Sequence, residues 1–315
     1  MSQIVVFSNE QDVHAISVAD KMSKNHGIRP LVLDFSRLSR LLTVEALYEN
    51  SHAEFRINAG NGNSVDLADV KSFWWRRPQP VSVDPSIRDP KHVRFALSEW
   101  DTLLRGVFQS TTGMWVNDIN RDQIASHKPY QLSVAKRLGI PVPETLMTNS
   151  PQEALRFWEK HEGHVIFKPF ISSFDAWRET RPLRKEFLGM IDKVRFAPVI
   201  FQEFVDSATD IRITCVGREM YAGETVPAAD YQYDWRMSPQ AKWNEHKLPD
   251  NIKESLLRFM DALGLQYGAI DMKLKRDGSY VLLEINPAGQ FLFLERDTGM
   301  RISDALAAHL VKGAA

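Results

Sequence analysis

The sequence has a single cysteine, Cys215, so no internal disulfide can form. No apolar run approaches the ~20 residues that a membrane-spanning helix needs. The N-terminus MSQIVVFSNE also lacks the basic region and long apolar core of a secretory signal peptide. These absences favour a reducing, cytoplasmic location without membrane contact.

A net excess of positive charge is also missing, because 39 lysines and arginines face 40 aspartates and glutamates. Proteins that bind nucleic acid through bulk electrostatics carry a basic excess, so we expect no nucleic-acid partner. Repeats of fixed period and low-complexity tracts are absent as well. What is present is a 43% hydrophobic composition over 315 residues, which predicts a folded protein of about two domains.

The first third of the chain has the pattern of a parallel βαβ unit. Short apolar strands are predicted at 4–7 and 31–35, with helical spacing of apolar residues between them. A later strand, 73–75, runs directly into Arg76 and Arg77. This pattern predicts an N-terminal α/β domain over residues 1–115.

The remaining sequence alternates differently, with helices followed by strands that favour antiparallel pairing. Strands are predicted near 199–204, 211–216, 269–274 and 280–285, the last two joined by an Arg-Asp-Gly turn. We expect a central lobe over 116–195 and a C-terminal lobe over 196–315. The fold class predicted for the whole chain is therefore α+β, a mixed α/β architecture with clefts between lobes.

Oxygen ligands converge at the end of the last predicted hairpin. Strand alternation places Glu284 and Asn286 on one face, and pairing across the turn brings Asp271 beside them. Two carboxylates and an amide oxygen suit Mg²⁺, which also binds substrate phosphates. The alternative is that these are solvated strand residues without a metal.

Other polar residues lie at the ends of predicted strands. Lys168 follows an apolar strand and could act as a point charge on a nucleotide phosphate, or it could be an ordinary edge lysine. The strand edge at Glu203 could hold an adenine. Arg212, on the next strand, could meet a phosphate or a carboxylate.

The order of these residues resembles the ATP-grasp fold over about residues 117–312. The order comprises a helix lysine, a strand lysine before a loop, a Gln-Glu-hydrophobic hinge, an Asp-Ile-Arg strand, a strand aspartate and a terminal Glu-x-Asn-Pro. An N-terminal pre-ATP-grasp domain would precede it.

A narrower resemblance extends over almost the full length. The segments that carry it are Trp74-Trp75-Arg76-Arg77-Pro78, Ser126-His127-Lys128, Tyr233-Asp234-Trp235-Arg236, Tyr267-Gly268-Ala269-Ile270-Asp271 and the stretch from Leu283 to Gln290. They look like those of the microviridin-type ligases, which crosslink ribosomal precursor peptides called graspetides.

This resemblance implies ATP and Mg²⁺ as cofactors and assigns residue roles. Lys128 and Lys168 would bind phosphates, Gln202, Glu203 and Phe204 would surround adenine, and Asp210 would contact the ribose. Asp271, Glu284 and Asn286 would hold magnesium, and Arg212 and Lys168 would act in catalysis. The loop after Lys168 lacks the glycines of many relatives, and Ser172 and Ser173 would take their place.

The resemblance also implies the reaction and the partner. Asp or Glu side chains of a ribosomally made precursor, with leader and core segments, would be activated as acyl phosphates. Ser, Thr or Lys side chains would then close ω-ester or ω-amide rings. Peptide contacts are expected in the aromatic-rich segment 231–243, at Trp235 and Arg236 in particular, although this segment could be an ordinary surface hairpin. Arg76 and Arg77 could also bind an acidic peptide, or they could pair with carboxylates at a domain interface. A homodimer is compatible with the family.

Two other functions fit the same residues. A RimK-like ligase would add free amino acids to a peptide or a small acid with the same ATP site. A non-catalytic, nucleotide-dependent peptide-binding protein would keep the binding residues but not turnover.

Overall fold

The computed structural model describes residues 4–37, 42–50, 52–58, 64–170, 179–228, 232–238 and 241–314. The strands are β1 (Ile4–Phe7), β2 (Leu31–Leu33), β3 (Thr43–Glu49), β4 (His52–Asn58), β5 (Ser64–Asp66), β6 (Ser72–Trp75), β7 (Met114–Val116), β8 (Thr145–Thr148), β9 (Val165–Lys168), β10 (Arg181–Pro182), β11 (Val199–Glu203), β12 (Thr209–Val216), β13 (Glu219–Thr225), β14 (Asn244–Glu245), β15 (Tyr267–Leu274) and β16 (Tyr280–Asn286). The helices are α1 (Val13–His26), α2 (Pro90–Gln109), α3 (Ile119–Ala125), α4 (Lys128–Arg137), α5 (Pro151–Lys160), α6 (Asp250–Leu263), α7 (Leu292–Thr298) and α8 (Ile302–Gly313), and 3₁₀ segments cover Phe35–Arg37, Lys185–Phe196 and Trp235–Met237. Within these described ranges, no helix combines the length and apolar character that a bilayer crossing requires.

The N-terminal sheet is parallel, with the strand order β2-β1-β6-β7. Helix α1 begins after Asp12, whose carboxylate accepts hydrogen bonds from the N–H groups of His14 and Ala15. The helix ends at Gly27, where a φ of 67° lets the backbone turn away. The predicted parallel βαβ unit is thus confirmed. The antiparallel sheet β3-β4-β5 and the long helix α2 were not predicted from the sequence.

Two antiparallel sheets form the rest of the chain. The smaller has the order β10-β9-β11-β8, and the larger has the order β14-β13-β12-β15-β16. Helices α4 and α6 cover the larger sheet, where Leu256 and Phe259 pack against Ile211 and Ile270. The α+β architecture expected from the sequence is confirmed, with α3 as an additional short helix in the polar stretch before α4.

The last helices of the chain complete the core of the first sheet. Leu306 and Leu310 of α8 belong to the same buried cluster as Ile4, Val18 and Trp74. Burial of such side chains contributes roughly 1.5–3 kcal/mol each. The C-terminal helices therefore stabilise the N-terminal sheet, which the division of the chain in sequence order did not predict.

Hydrogen bonds also join the N-terminal part of the chain to the segment that follows β16. The buried guanidinium of Arg76 donates from Nε to Asp12 Oδ2 at 3.1 Å and from Nη1 to the carbonyls of Ala288 at 2.6 Å and Gly289 at 3.0 Å. His14 Nε2 accepts from the N–H groups of Phe291 and Leu292 at 3.2 and 3.4 Å. The start of α1 and the residue that follows β6 thus hold the segment after β16.

Gln131 in α4 binds the free edge of β16. Its Nε2 donates to the carbonyl of Ile285 at 2.8 Å, and its Oε1 accepts from the N–H of Ile285 at 3.1 Å. Nε2 also donates to the carbonyl of Ala125 at 2.6 Å. A buried side-chain amide therefore replaces the neighbouring strand that β16 lacks on this side.

We expect Gln131→Leu to lower the free energy of unfolding by roughly 2–4 kcal/mol, because the substitution leaves buried backbone groups of Ile285 without partners. Urea denaturation measures this change. The matched substitution Gln152→Leu on an exposed helix position serves as control and should cost less than about 0.5 kcal/mol. Equal effects at both positions would contradict the edge-binding role.

His14 predicts a dependence of stability on pH. Burial lowers its pKa, and the charge of Arg76 adds to the shift while Asp12 opposes it. The unfolded chain, with an ordinary pKa near about 6.5, binds the proton more readily than the folded protein does. Stability from this group is therefore present above the unfolded pKa and is lost as the pH falls towards the folded value.

We expect the free energy of unfolding to fall between pH 7.5 and 5.5, and to fall less steeply in His14→Gln, which keeps an acceptor without titrating. Urea titrations in buffers at pH 7.5 and at pH 5.5 give the change in the free energy of unfolding with pH. An unchanged slope in His14→Gln would rule out this titration.

Candidate active site

A cleft of about 760 Å³ lies between the β10-β9-β11-β8 sheet and the larger five-stranded sheet. Most of the site residues predicted from the sequence line this cleft. Those lining it are Arg77, Lys128, Lys168, Asp210, Arg212, Trp235, Arg236, Asp271, Glu284 and Asn286. Residues from strands, a helix start and a loop thus meet at one place, although they are up to about 200 positions apart along the chain.

Glu284 lies between two lysines. Lys128 Nζ, at the start of α4, is 2.5 Å from Glu284 Oε2, and Lys168 Nζ, at the end of β9, is 3.7 Å from the same oxygen. Burial by itself would raise the pKa of Glu284, but the charges of both lysines outweigh it and hold the pKa well below the usual range. Burial lowers the pKa of Lys168, although Glu284 opposes this shift. The three groups form a charged cluster.

The expected magnesium ligands lie on neighbouring strands. Asp271 on β15 is the register partner of Glu284 on β16, and Asn286 pairs with Ala269. A bulge between Asp271 and Met272 shifts the register just beyond this point. Asn286 Oδ1 accepts from the N–H of Ala288 at 3.0 Å. The hairpin thus brings the two carboxylates together as predicted.

Arg212 on β12 holds the other carboxylate. Its Nη1 is 2.8 Å from both Oδ1 and Oδ2 of Asp271, and its Nη2 donates to the carbonyl of Gln290 at 3.0 Å. Among the described residues, none accepts a hydrogen bond from the buried Nε of Arg212. The side chain therefore keeps a donor available.

Asp210, expected at a ribose, is buried and forms an ion pair with Lys273. Lys273 Nζ also donates to the carbonyl of Gln232 at 3.3 Å. Lys273 lines the cleft but was missed in the sequence, where its position two residues after Asp271 on the same strand was the available signal. Asp210 would have to exchange partners to bind a hydroxyl.

The expected adenine hinge lies outside the residues that line the cleft. Gln202 is buried and donates from Nε2 to Thr145 Oγ1 at 2.9 Å. The N–H groups of Glu203 and Phe204 already donate to the carbonyls of Glu144 and His164 at 2.9 and 2.8 Å. A base bound here would have to use other groups. The ring of Phe204 is 5.0 Å from that of Tyr233, which does line the cleft.

An acidic residue holds Arg236 at the cleft. Asp234 accepts from Arg236 Nε at 2.7 Å and Nη2 at 2.6 Å, and from the N–H of Thr180 at 3.2 Å. Trp235 packs against Trp243 and Phe293, with ring centroids 4.9 and 5.4 Å away. Asp234 and Trp243 also line the cleft and belong to the segment 231–243, where peptide contacts were expected. Phe293 and Arg296 line the cleft as well but were not selected from the sequence.

The two neighbouring arginines of the Trp-Trp-Arg-Arg-Pro segment have different surroundings. Arg77 lines the cleft and donates from Nε to the carbonyl of Ala288 at 3.3 Å. The Arg76 side chain has no solvent exposure and pairs with Asp12. For Arg76, this position supports the alternative of a structural ion pair and opposes direct contact with a peptide. Ser172 and Ser173 lie outside the described residues, as does Tyr231.

The charges that line the cleft are unequal. Among the residues that the structure describes, seven cationic side chains face four carboxylates in the cleft: Arg77, Lys128, Lys168, Arg212, Arg236, Lys273 and Arg296 against Asp210, Asp234, Asp271 and Glu284. A concave site with this excess attracts anions. A polyphosphate or a carboxylate is the class of ligand that this arrangement can bind.

Comparisons with known proteins agree with this geometry. Residues 3–123 match the family described as the MvdD pre-ATP grasp domain, and residues 124–310 match the RimK-like ATP-grasp domain. The macrocyclase MdnC of Microcystis aeruginosa MRC, solved with its precursor peptide MdnA, is 30% identical, with a TM-score of 0.87 over 98% of this chain and 99% of that one.

Two further proteins are similar. The ATP-grasp ligase PsnB, solved with minimal precursor, Mg and ADP, is 25% identical, with a TM-score of 0.82 over 100% of this chain and 98% of that one. The alpha-aminoadipate–LysW ligase LysX of Sulfurisphaera tokodaii is 24% identical over 232 residues, which is 70% of this chain and 77% of LysX. The chain belongs to the microviridin-type branch of the RimK-like ATP-grasp ligases, which are ATP-dependent enzymes.

Proposed function

We propose that this enzyme activates Asp or Glu side chains of a ribosomally made precursor peptide as acyl phosphates and closes ω-ester or ω-amide rings with Ser, Thr or Lys. The observation that carries the ATP-dependent step is the cluster of Glu284 with Lys128 and Lys168 in a cationic cleft. The full-length likeness to a macrocyclase solved with its precursor supports the peptide substrate. A cytoplasmic location is part of the proposal.

The lysines would bind the phosphates of ATP. Glu284 lies against both ammonium groups and compensates the charges of Lys128 and Lys168. A bound triphosphate would take over this role and release the Glu284 carboxylate. The nucleotide thus replaces one set of ion pairs with another.

Asp271, Glu284 and Asn286 would hold Mg²⁺. The donor set fits, since two carboxylates and an amide oxygen on adjacent strands are hard oxygen ligands and leave room for phosphate oxygens and water. When bound, magnesium neutralises charge on the phosphates during transfer. Asp271 would exchange its Arg212 contacts for this role.

The chemistry needs ATP because a carboxylate has no adequate leaving group. A side-chain carboxylate oxygen attacks the γ-phosphorus, and ADP leaves to give an acyl phosphate. A hydroxyl or amine then attacks the acyl carbon and loses its proton, and inorganic phosphate leaves. Each ring removes one water from the peptide. Lys168 and Arg212 line the cleft and would stabilise the negative charge that develops during these steps.

Arg77, Trp235 and Arg236 would contact the peptide. All three line the cleft, and Asp234 fixes the guanidinium of Arg236 from one side. The aromatic group of Trp235, Trp243 and Phe293 adds an apolar wall. An acidic segment with apolar neighbours is the kind of peptide that these side chains match.

The likeness to LysX supports the alternative of a ligase that adds a free amino acid to its substrate. A macrocyclase and a ligase that adds a free amino acid would use the same nucleotide site, so the site residues do not distinguish the two functions. The mass change of the peptide does.

We expect the peptide encoded beside the gene to lose one or more waters when it is incubated with the enzyme, ATP and Mg²⁺. Intact mass spectrometry measures the change, and a reaction without ATP is the control. A gain equal to one amino acid would instead support the LysX-like reaction. No ADP release with any peptide would support a non-catalytic binding protein.

Replacement of the magnesium ligands should abolish turnover. We expect Asp271→Asn and Glu284→Gln each to lower ADP release by about 100-fold or more, because charge neutralisation by a metal is worth several kcal/mol. Glu245→Gln, at an exposed position of the same sheet, is the matched control. Circular dichroism checks that the variants fold. Wild-type rates in both would remove these residues from the site.

A further inference from the structure

The segment 287–291, which follows β16, is held at every one of its backbone carbonyls from Pro287 to Gln290. Asn117 Nδ2 donates to the carbonyl of Pro287 at 3.1 Å. The carbonyl of Ala288 accepts from Arg76, and that of Gly289 accepts from Arg76 and from Tyr267 Oη, the latter at 2.8 Å. Most of these donors come from outside the large sheet.

The fourth carbonyl leads directly to the reaction centre. Gln290 accepts the hydrogen bond from Arg212 Nη2, the same guanidinium that holds Asp271. Gly289 lies against this group, since a Cβ placed there would come within 2.8 Å of Arg212 Nη2 and collide with Ala269. The backbone at 289 and the guanidinium of Arg212 are therefore in contact without space between them.

Arg76 is well suited to set the position of this segment. Its planar guanidinium is fully buried, Asp12 fixes one side of it through Nε, and Nη1 points at two consecutive carbonyls. Asp12 in turn is anchored by Ser8 Oγ at 2.9 Å and by the first N–H groups of α1. A buried fork with these constraints has little rotational freedom.

We propose that Arg76 is a positioning residue that places Arg212 for catalysis through the segment 287–291. Arg76 would then contribute to the chemistry without itself touching ATP or peptide. A shift of the segment by about an ångström is enough to break the contact between Gln290 and Arg212, and misplacement of that size can cost about 100-fold in rate. This inference rests on the proposed role of Arg212.

Two substitutions on different elements test the proposal. Arg76→Lys keeps the charge opposite Asp12 but cannot reach both carbonyls as the planar fork does. Tyr267→Phe removes only the hydroxyl that binds the Gly289 carbonyl. Arg37→Gln is the control, because Arg37 forms an exposed pair with Glu10 in the same domain.

The measurements are kcat and KM for ATP, from ADP release with the peptide that the mass assay identifies, together with hydrogen–deuterium exchange across the chain. We expect kcat to fall about 10- to 100-fold in Arg76→Lys and several-fold in Tyr267→Phe, with KM for ATP within about twofold of wild type. Exchange should accelerate in 284–292 and not in the N-terminal sheet. Arg37→Gln should match wild type in all of these.

A double-mutant cycle gives a second readout. In an Arg212→Lys background, Arg76→Lys should reduce kcat by much less than in wild type, because both changes act through one group. Additive losses would overturn the proposal. So would wild-type kcat and exchange in both variants, or a fall in Tm with faster exchange throughout the first sheet, which would mark Arg76 as a purely structural contact.

The test separates this proposal from the proposed function. If no peptide supports turnover by the wild-type enzyme, the proposed function fails, and exchange in 284–292 alone decides whether Arg76 holds the segment. Faster local exchange then supports the positional role, and unchanged exchange overturns it.

Discussion

The carboxylate of Glu284, placed between Lys128 and Lys168, is the interaction on which the cleft depends. Each lysine comes from a different element, and both approach the same carboxylate oxygen of Glu284. The ion pairs therefore join the start of α4 and the end of β9 to the edge strand β16.

The parts of the chain depend on one another through the region after β16. Gln131 supports the edge of the strand from α4, and the turn before α1 holds the backbone that follows it. The hydrophobic core continues this connection, since α8 packs into the first sheet. The N-terminal domain is consequently part of the framework of the site, and the likeness to MdnC extends over 98% of the chain.

Local rules were sufficient to locate the hairpin with Asp271, Glu284 and Asn286, because strand alternation and a short turn determine which side chains share a face. The parallel βαβ unit follows from periodicity in the same way. Contacts between distant segments were harder. Arg76 and Arg77 are adjacent and chemically identical, yet Arg76 is buried against Asp12 and the segment 287–291 while Arg77 lines the cleft.

Gln131 and Lys273 are residues whose roles could not be predicted from the sequence. A glutamine inside a helix carries no sequence signal of binding a strand edge, since that role requires β16 to approach from 154 residues away. Lys273 could be suspected only from its neighbour Asp271. The hinge residues were predicted from their order alone, and the hydrogen bonds that already engage Glu203 and Phe204 depend on neighbouring strands that the order does not describe.

Cys215 lies on β12 in the interior of the large sheet, with no exposed surface. Burial raises the pKa of its thiol to about 12, so the reactive thiolate hardly forms at neutral pH. Since this is the chain's one cysteine, maleimide dyes or spin labels would react selectively with a cysteine introduced on the surface. Distances between the lobes during turnover can therefore be followed spectroscopically without first removing a native thiol.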